Sequence, residues 1–284
     1  MRKSFIWLAA AFTALVVAVP AVAITNGQPD NGEHPFVGTI LFRQTDGLFS
    51  CSGTLLSSAV MLTAGHCTEF EGETNSATWV WMDEVVDVDA LVNRDPTEYP
   101  TIDDFLNDPV NGWIRATAIP HPEYADFAGF PNTHDVGVVL LSTGVSLGEY
   151  GELPTLGQFD FLDRAKGKPE GRRFEVVGYG VQRIVPKKDA QDDWRRYKGD
   201  TTLTGSKSSL TDGYNFKFTN SPGNGTGGSG TCFGDSGGPA FWDETNTVAA
   251  VTSFGITPHC TGVDFSYRAD IAETLDFVTP FLTS

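Results

Sequence analysis

"CFGDSGGPA", residues 232 to 240, places a single serine, Ser236, among three glycines and beside Asp235. Most glycine-rich turns that contain serine have no chemical role, so this stretch is either a structural turn or a nucleophile held on a tight turn. The same residues also satisfy G-x-S-x-G, the strand-turn-helix elbow of an α/β fold with a parallel sheet. The rest of the chain has to decide between these interpretations.

The first 23 residues differ in composition from the rest of the 284-residue chain. Arg2 and Lys3 precede an apolar run of 15 residues from Phe5 to Val19, and Ala21-Val22-Ala23 follows it. A charged segment, an apolar segment and a small-x-small site are typical of a secretory signal peptide. The alternative is a membrane anchor, but 15 residues fall short of the roughly 20 that span a bilayer. We expect residues 1–23 to be removed and the protein to be secreted, to the extracellular space or the periplasm, with no membrane attachment afterwards.

The charge of the chain argues against nucleic acid as a partner. Without Arg2 and Lys3 the chain carries 17 basic and 36 acidic residues, a net charge of −19. A protein of this charge repels phosphate backbones. Residues 83 to 108 hold 9 acidic residues against Arg94 alone, and we expect this acidic run to be a solvated face.

The four cysteines are expected to form disulfides, because export favours oxidised thiols and no C-x-x-C pair indicates a zinc site. Four cysteines allow three connectivities. Pairing neighbours in sequence would close short loops, each worth about 3 to 4 kcal/mol in the chain-entropy model. The cysteines are Cys51, Cys67, Cys232 and Cys260.

Short runs of β-branched and aromatic residues, separated by Gly, Pro, Asn and Asp, predict an all-β chain of sandwich or barrel type. One helix is predicted near the end, where Asp270 and Glu273 have capping-box spacing. The predicted strands are Phe36–Phe42, Val60–Thr63, Thr78–Trp81, Trp113–Ile119, Val136–Leu141, Phe174–Val177, Tyr214–Phe218 and Val248–Phe254.

A serine hydroxyl needs a base within hydrogen-bond reach, and that base needs a third group to hold its tautomer. In the parallel-sheet fold the acid and the histidine follow the serine. Only 48 residues follow Ser236, and the alternating strand and helix pattern of that fold is absent. The opposite order is well served: His66 lies in "LTAGHC", residues 62–67, and Asp135 heads the apolar run in "THDVGVVLL", residues 133–141.

With these motifs the sequence resembles the chymotrypsin/trypsin family of serine proteases. The resemblance runs through "ITNG" at 24–27, "CSGTLL", "TAGHC", "HDVGVVLL", "GDSGGP" and "SFG" at 253–255, and covers nearly all of residues 24–284. It implies two six-stranded antiparallel β-barrels packed face to face, with a C-terminal helix and an active site between the barrels.

The resemblance also implies a role for each residue of the site. His66 would act as general base and then general acid, Asp135 would orient it, and Ser236 would attack the scissile carbonyl to form an acyl-enzyme. The N–H groups of Gly234 and Ser236 would form the oxyanion hole, at about 2.7 to 4 kcal/mol per donor. The alternative function is that of an inactive homologue acting as a binding protein, but no triad residue is missing from the sequence.

Asp235 is expected to pair with a free α-amino group, as the resemblance implies. Ile24 matches the family's new N-terminal residue, and the predicted signal cleavage falls directly before it. Signal peptidase itself would then generate the activating terminus, with no propeptide left to remove. Pairing raises an amine pKa above its usual 7.7 to 8.0, so we expect activity to fade at strongly alkaline pH.

The resemblance places the substrate-binding residues less firmly. Ser253, Phe254 and Gly255 would pair with an extended peptide or protein substrate as an added strand. The specificity pocket would include Gly230, Thr231 and Asp264. Gly230 lies six residues before the nucleophile, where trypsin-like members carry aspartate, so only Asp264 could favour Arg or Lys. Counting back from "YRADI", residues 267–271, places Asp264 in the wall of the pocket. Aligning Gly262-Val263 with the family's usual Gly-Val instead moves Asp264 out of the pocket, which leaves an apolar or small-residue preference as the alternative.

No cofactor is expected. Some relatives bind calcium in a loop, and the acidic segment 83–112 is the candidate here, although it lacks the D-x-[DN]-x-[DN]-G spacing. Protein protease inhibitors are expected partners on the strength of the resemblance.

Overall fold

The computed structural model describes residues 24–70, 73–74, 77–164, 173–182, 192–220 and 228–283. The predicted signal peptide, residues 1–23, lies outside the described residues. Within the described ranges, no helix combines the length and apolarity needed to cross a membrane.

The first half of the chain forms a closed six-stranded antiparallel barrel. Its strands pair in the ring order β2, β3, β4, β9, β8, β7, and β7 returns to β2. Closure leaves no unpaired edge, and the inward side chains fill the interior. The strands are β2 (Val37–Gln44), β3 (Gly47–Leu55), β4 (Val60–Thr63), β7 (Ala77–Trp81), β8 (Ile114–Pro120) and β9 (Gly137–Leu141). The short hairpin of β5 (Glu69–Phe70) and β6 (Glu73–Thr74) lies between β4 and β7 in the sequence.

The second half forms another six-stranded antiparallel barrel in the order β11, β10, β13, β14, β15, β12. The additional pairing of β11 with β12 closes this ring, and β1 (Gln28–Pro29) adds to β11. The strands are β10 (Arg173–Gly178), β11 (Tyr197–Gly205), β12 (Asn215–Asn220), β13 (Pro239–Trp242), β14 (Val248–Gly255) and β15 (Gly262–Arg268). The predicted pair of six-stranded barrels is thereby confirmed.

Four barrel strands were not predicted from the sequence: β3, β11, β13 and β15. The short strands β1, β5 and β6 were not predicted either. β3, "GLFSCSGTL", and β11, "YKGDTTLTG", are rich in glycine and hydroxyl residues, which have weak strand signals. Tertiary contacts compensate: Thr54 and Ser52 are buried in β3, and the Ser52 N–H donates to the Ser236 carbonyl at 2.7 Å.

The C-terminal helix α3 (Ala272–Leu282) is present, but the predicted capping box at its start is wrong. Its N-cap residue is Ile271, and no side chain caps it. The Asp270 carboxylate is instead fully buried, accepting from Arg268 Nε at 2.8 Å and from the Phe159 N–H at 2.8 Å. A buried carboxylate requires such partners, and they outweigh a cap.

The acidic segment 83–112 contains two short helices, α1 (Val88–Val92) and α2 (Ile102–Asn107). Its carboxylates cap them: Asp87 accepts from the Ala90 N–H, and Asp104 forms a capping box with Thr101. Anionic caps at helix N-termini are stabilising. These contacts give the acidic residues a structural role, and calcium binding by the segment stays a prediction.

Both disulfides join neighbours in sequence, Cys51 to Cys67 and Cys232 to Cys260. The first connects β3 to the turn that carries His66. The second connects the segment before Ser236 to the segment between β14 and β15. Each disulfide therefore anchors a segment that borders the candidate site.

A buried ionic cluster connects the N-terminal segment to the second barrel. His34 Nδ1 lies 2.5 Å from Asp30 Oδ1, and His34 Nε2 lies 3.1 Å from Glu175 Oε1. Arg196 Nε contacts the other Asp30 oxygen at 2.8 Å. Burial opposes protonation of His34, but its hydrogen bonds to Asp30 and Glu175 outweigh burial and raise the pKa of the imidazole to about 9.

We expect this cluster to make stability depend on pH. Because the folded pKa of His34 lies above its unfolded value of 6.5, its contribution is complete below pH 6.5 and is lost as pH rises through 9. The free energy of unfolding should fall by about 3 kcal/mol at most over that window. Urea unfolding at pH 6, 7.5 and 9 measures this, in a Ser236→Ala background to prevent self-digestion. His34→Gln should flatten the slope and the exposed His259→Gln should keep it; equal slopes in all three forms would contradict the assignment.

Candidate active site

His66 and Asp135 meet at one edge of the first barrel. His66 lies in the 3-10 turn Gly65–Cys67 after β4, and Asp135 lies two residues before β9, the strand paired with β4. His66 Nδ1 is 3.0 Å from Asp135 Oδ2, and the His66 backbone N–H donates to Asp135 Oδ1 at 2.9 Å. The carboxylate thus fixes both the backbone and the ring of the histidine, which leaves Nε2 as the nitrogen able to accept a proton.

Asp135 has no solvent exposure, and Ser253 supplies a further donor. The Ser253 hydroxyl donates to Asp135 Oδ2. The pairing between β14 and β15 shifts register between Thr252 and Phe254, so Ser253 lies at a bulge, a device that redirects side chains. Burial opposes ionisation of Asp135, but His66 and the hydrogen bonds outweigh it, so the pKa of this carboxyl is below its usual range.

Ser236 lies on the turn before β13, and its backbone is held by the first barrel through the Ser52 contact. Gly234 has φ +94°, a conformation that favours glycine. The Phe233 carbonyl accepts from the Val181 N–H at 2.7 Å. Because C=O and N–H point in opposite directions across a trans peptide, the Gly234 N–H faces away from Val181. Among the described residues, the N–H groups of Gly234 and Ser236 have no intramolecular acceptor.

Ser236 and His66 line the same two cavities. The described atoms show no direct hydrogen bond between the Ser236 hydroxyl and the His66 ring. In apo enzymes such catalytic hydrogen bonds are commonly long and tighten only when substrate binds. The structure therefore brings all three predicted triad residues to one location, with the histidine already oriented.

The first cavity, of about 430 Å³, contains the predicted specificity residues Thr231, Asp264 and the Ser253–Gly255 segment. Asp264 Oδ2 accepts from the Thr231 N–H at 2.8 Å and from its hydroxyl at 2.7 Å. Asp264 Oδ1 is buried and has no hydrogen-bond partner within the described chain. Burial, only partly offset by the bonds from Thr231, raises the pKa of this carboxyl.

Gly230, the remaining residue predicted for the pocket, is not in the lining of this cavity, and the neighbouring Asn220 is. A Cβ at Gly230 would lie 2.1 Å from Asn220 Cγ, so the Asn220 side chain takes the space that a side chain at 230 would need. Asn220 is itself fixed, donating to the Thr231 carbonyl at 2.9 Å and accepting from the Thr25 hydroxyl at 2.8 Å.

The sequence matches the protein-family model described as Trypsin over residues 24–277. The chain belongs to the trypsin family. Trypsin-family membership and the two-barrel fold support a protease of the hydrolase class. A search among curated proteins found no match.

Three solved structures are similar to this chain over most of its length. A collagenase, HL collagenase, is similar with a TM-score of 0.65 and 17% identity, covering 92% of this chain and 99% of its own. The structure described as GrC has a TM-score of 0.62 and 18% identity, covering 92% and 100%. A thermostable serine protease, AL20, from an extremophilic microorganism has a TM-score of 0.57 and 17% identity, covering 89% and 99%. At these identities the likeness shows the fold.

Ile24 and Asp235, the two residues predicted to form an activating ion pair, are both fully buried. Ile24 is fully buried in the core of the second barrel, and Thr25 pairs with Gly230 through two backbone hydrogen bonds. The Asp235 carboxylate accepts from the N–H groups of Gly180 and Cys232. Burial, partly offset by these two bonds, raises its pKa to about 7. Ile24 is joined to Ala23 in this chain, so its nitrogen is a neutral amide here.

Phe127 is an aromatic residue beside the site that the sequence analysis did not identify. Phe127 lies with its ring centroid 5.8 Å from that of His66 and 5.9 Å from that of Phe254. It sits in the long connection between β8 and β9, with φ +61°. The run "FAGFP", residues 127–131, could have indicated this contact, because it holds two phenylalanines in a Gly- and Pro-containing loop. Apolar side chains exposed in such a loop indicate a binding partner.

Among the described residues, two groups of side chains have metal-ligand chemistry. In the first, Cys51 and Cys67 flank His66, but both sulfurs are in the disulfide. In the second, His121 and His134 accompany Glu123. Their rings stack at 4.8 Å with an interplanar angle of 21°, so their in-plane lone pairs converge on one ion only after a ring rotates. Neither group carries a metal assignment.

Proposed function

We propose that this chain is a secreted serine endopeptidase that cuts extended peptides and proteins through His66, Asp135 and Ser236. His66 Nε2 removes the Ser236 proton as the oxygen attacks the scissile carbonyl, and the N–H groups of Gly234 and Ser236 stabilise the oxyanion. His66 then protonates the leaving amine, giving an acyl-enzyme. Water activated by the same imidazole hydrolyses the ester and regenerates the serine.

The observation that carries this proposal is the buried Asp135 carboxylate bound to both the ring and the backbone of His66. A desolvated carboxylate in that position stabilises the imidazolium that forms when the serine is deprotonated. The available amides at Gly234 and Ser236 support the same chemistry. An inactive homologue would have no need for this arrangement, so the binding-protein alternative is not favoured.

We further propose that cleavage after Ala23 creates the active form. The freed Ile24 ammonium would neutralise Asp235, whose isolated burial is costly. Thr25, the residue after Ile24, already pairs with Gly230. Gly230 lies two residues before Cys232, and the Cys232 N–H donates to the Asp235 carboxylate. The disulfides support export to an oxidising compartment.

For specificity, we propose a preference for Arg or Lys before the cut. The support is Asp264, which lines the first cavity with one carboxylate oxygen buried and unpartnered. A guanidinium or ammonium group reaching Oδ1 would supply the missing hydrogen bond and favour the ionised carboxylate.

Asp264→Asn is the variant that tests both the activity and the preference. It removes the charge and keeps an oxygen for Thr231, so cutting after Arg and Lys should fall by roughly 30- to 4,000-fold, about 2–5 kcal/mol, while cutting after uncharged residues persists. Digestion of a mixed peptide pool, with mass-spectrometric mapping of the new ends, measures both. Ser236→Ala should give no new ends. A wild-type enzyme that cuts without favouring Arg or Lys would refute the specificity proposal alone.

A further inference from the structure

A second cavity shares His66, Phe233 and Ser236 with the first, and residues of the first barrel and of α1 form much of its remaining wall. It has a volume of about 660 Å³, and Gly234, Ser236 and His66 line it. Its other walls are mostly apolar and include Phe49, Val88, Leu91, Val92, Trp194 and Phe233. We name it the α1 groove, because helix α1 supplies Val88, Leu91 and Val92.

The α1 groove presents apolar side chains to solvent beside the reacting atoms. Val92 is 65% exposed and Phe233 is 60% exposed. Exposed apolar surface that is contiguous within a groove indicates a binding site more strongly than scattered apolar residues do. Asp192 is the acidic residue of the groove lining.

Helix α1 is fixed in place as a wall. Leu91 is buried in a cluster with Trp79, Phe105 and Trp113. Backbone hydrogen bonds join the segment before the helix to the residues that lead into β11. The Val86 N–H donates to the Trp194 carbonyl at 2.9 Å, and the Arg196 N–H donates to the Glu84 backbone carbonyl at 2.7 Å. Arg195 also binds the Glu84 carboxylate through two nitrogens, at 2.8 and 2.6 Å.

The direction of the substrate identifies the occupant of the groove. On the proposed function, the first cavity, with Asp264 and the Ser253–Gly255 strand, holds the half of the peptide before the cut. The second cavity also reaches Ser236 and adds Gly234 and first-barrel residues, so it is the space left for the half after the cut. Each residue advances about 3.3 Å, so the first two residues after the cut reach this groove.

Resting on the proposed protease function, we propose that α1 forms a binding site for the leaving half of the substrate. The site selects an aliphatic or aromatic side chain within the first two residues after the cut. The Asp192 carboxylate disfavours acidic residues there. This gives the acidic segment 83–112 a role in specificity.

The test compares three forms in digestion of one mixed peptide pool: wild type, Val92→Asp and Val110→Asp. Val110 belongs to the same segment, is 79% exposed and lies outside the groove, so it is the matched control. In the wild type, Leu, Ile, Phe and Met should exceed Gly, Ser and Asp after the cut by about tenfold. Val92→Asp should reduce that preference about fivefold, and Val92→Ala should reduce it about twofold.

The residues before the cut should not change in any form, because the first cavity is untouched. A flat distribution after the cut, in a wild type that cuts, would overturn the inference and leave the protease function standing. Equal preferences in Val92→Asp and Val110→Asp would also overturn it. An absence of cutting in every form would refute the proposed function and this inference together.

Discussion

Ser236→Ala is expected to lower kcat by about 10⁶-fold, the largest effect of any single substitution in this protein. The variant removes the oxygen that the Asp135–His66 pair is proposed to activate. It leaves intact the backbone contact of residue 236 with Ser52 and both backbone N–H groups of the proposed oxyanion hole, so residual turnover should reflect binding and oxyanion stabilisation. Hydrolysis of a fluorogenic peptide, with active-site titration of the wild type, measures the loss.

The matched control is Ser58→Ala, an exposed serine outside both cavities, which should retain full activity. A serine-directed phosphonate should label Ser236 in the wild type and in Ser58→Ala, and no residue in Ser236→Ala. Retention of peptide hydrolysis by Ser236→Ala would remove the basis for the proposed mechanism. A folded wild type that neither labels nor cuts would support the inactive-homologue alternative.

A protein that begins at Ala23 is expected to be at least about 10³-fold less active than one that begins at Ile24. With the extra residue the Ile24 nitrogen stays a neutral amide, and Asp235 lies buried without a cation. We expect the turn with the proposed oxyanion donors to be held less stably without that ion pair, and each donor is worth about 10²- to 10³-fold in kcat. Both forms can be made by cleaving a fusion protein directly before the desired residue, with mass spectrometry to verify each terminus.

The pH dependence of the two forms separates this effect from misfolding. In the form that begins at Ile24, pairing raises the amine pKa above 7.7 to 8.0, so the pair is complete below that range and is lost as pH rises through the folded value. Its activity should therefore decline at alkaline pH as the amine deprotonates. In the form that begins at Ala23, the Asp235 pKa of about 7 lies above its unfolded value, so its stability should fall as pH rises from about 4 to 7. Identical activities in the two forms would contradict the activation proposal.

The sequence predicted the candidate catalytic residues because each belongs to a short motif whose conformation depends on its immediate sequence neighbours. Gly234 allows the turn before Ser236, and the Cys67 disulfide anchors the segment of His66. Asp135 heads an apolar strand, which predicts burial and a need for partners. Eight strands were also predicted, because runs of β-branched and aromatic residues bounded by Gly, Pro, Asn and Asp are a property of neighbouring positions.

What the sequence could not predict depends on contacts between distant segments. Ser253 binds Asp135 because a bulge redirects its side chain, and Phe127 contacts His66 across a long connection. Helix α1 lies in an acidic run whose composition indicated a solvated face, with calcium binding as a further candidate role. Its apolar residues Val88, Leu91 and Val92 acquire meaning only when packing places them beside the nucleophile.

The position of Asp264 depends on both the sequence and the tertiary structure. The sequence by itself determined that an acidic residue lies close to the expected pocket, but two alignments placed it inside or outside that pocket. Register cannot be counted locally, because a slip of one residue turns a strand side chain to the opposite face. Only the tertiary structure decided the matter: β14 and β15 pair Phe254 with Phe265 and Gly255 with Asp264 after the bulge, and Asp264 lines the cavity. Local motifs determine which chemistry the chain carries, and the pairing of strands determines which side chains the substrate meets.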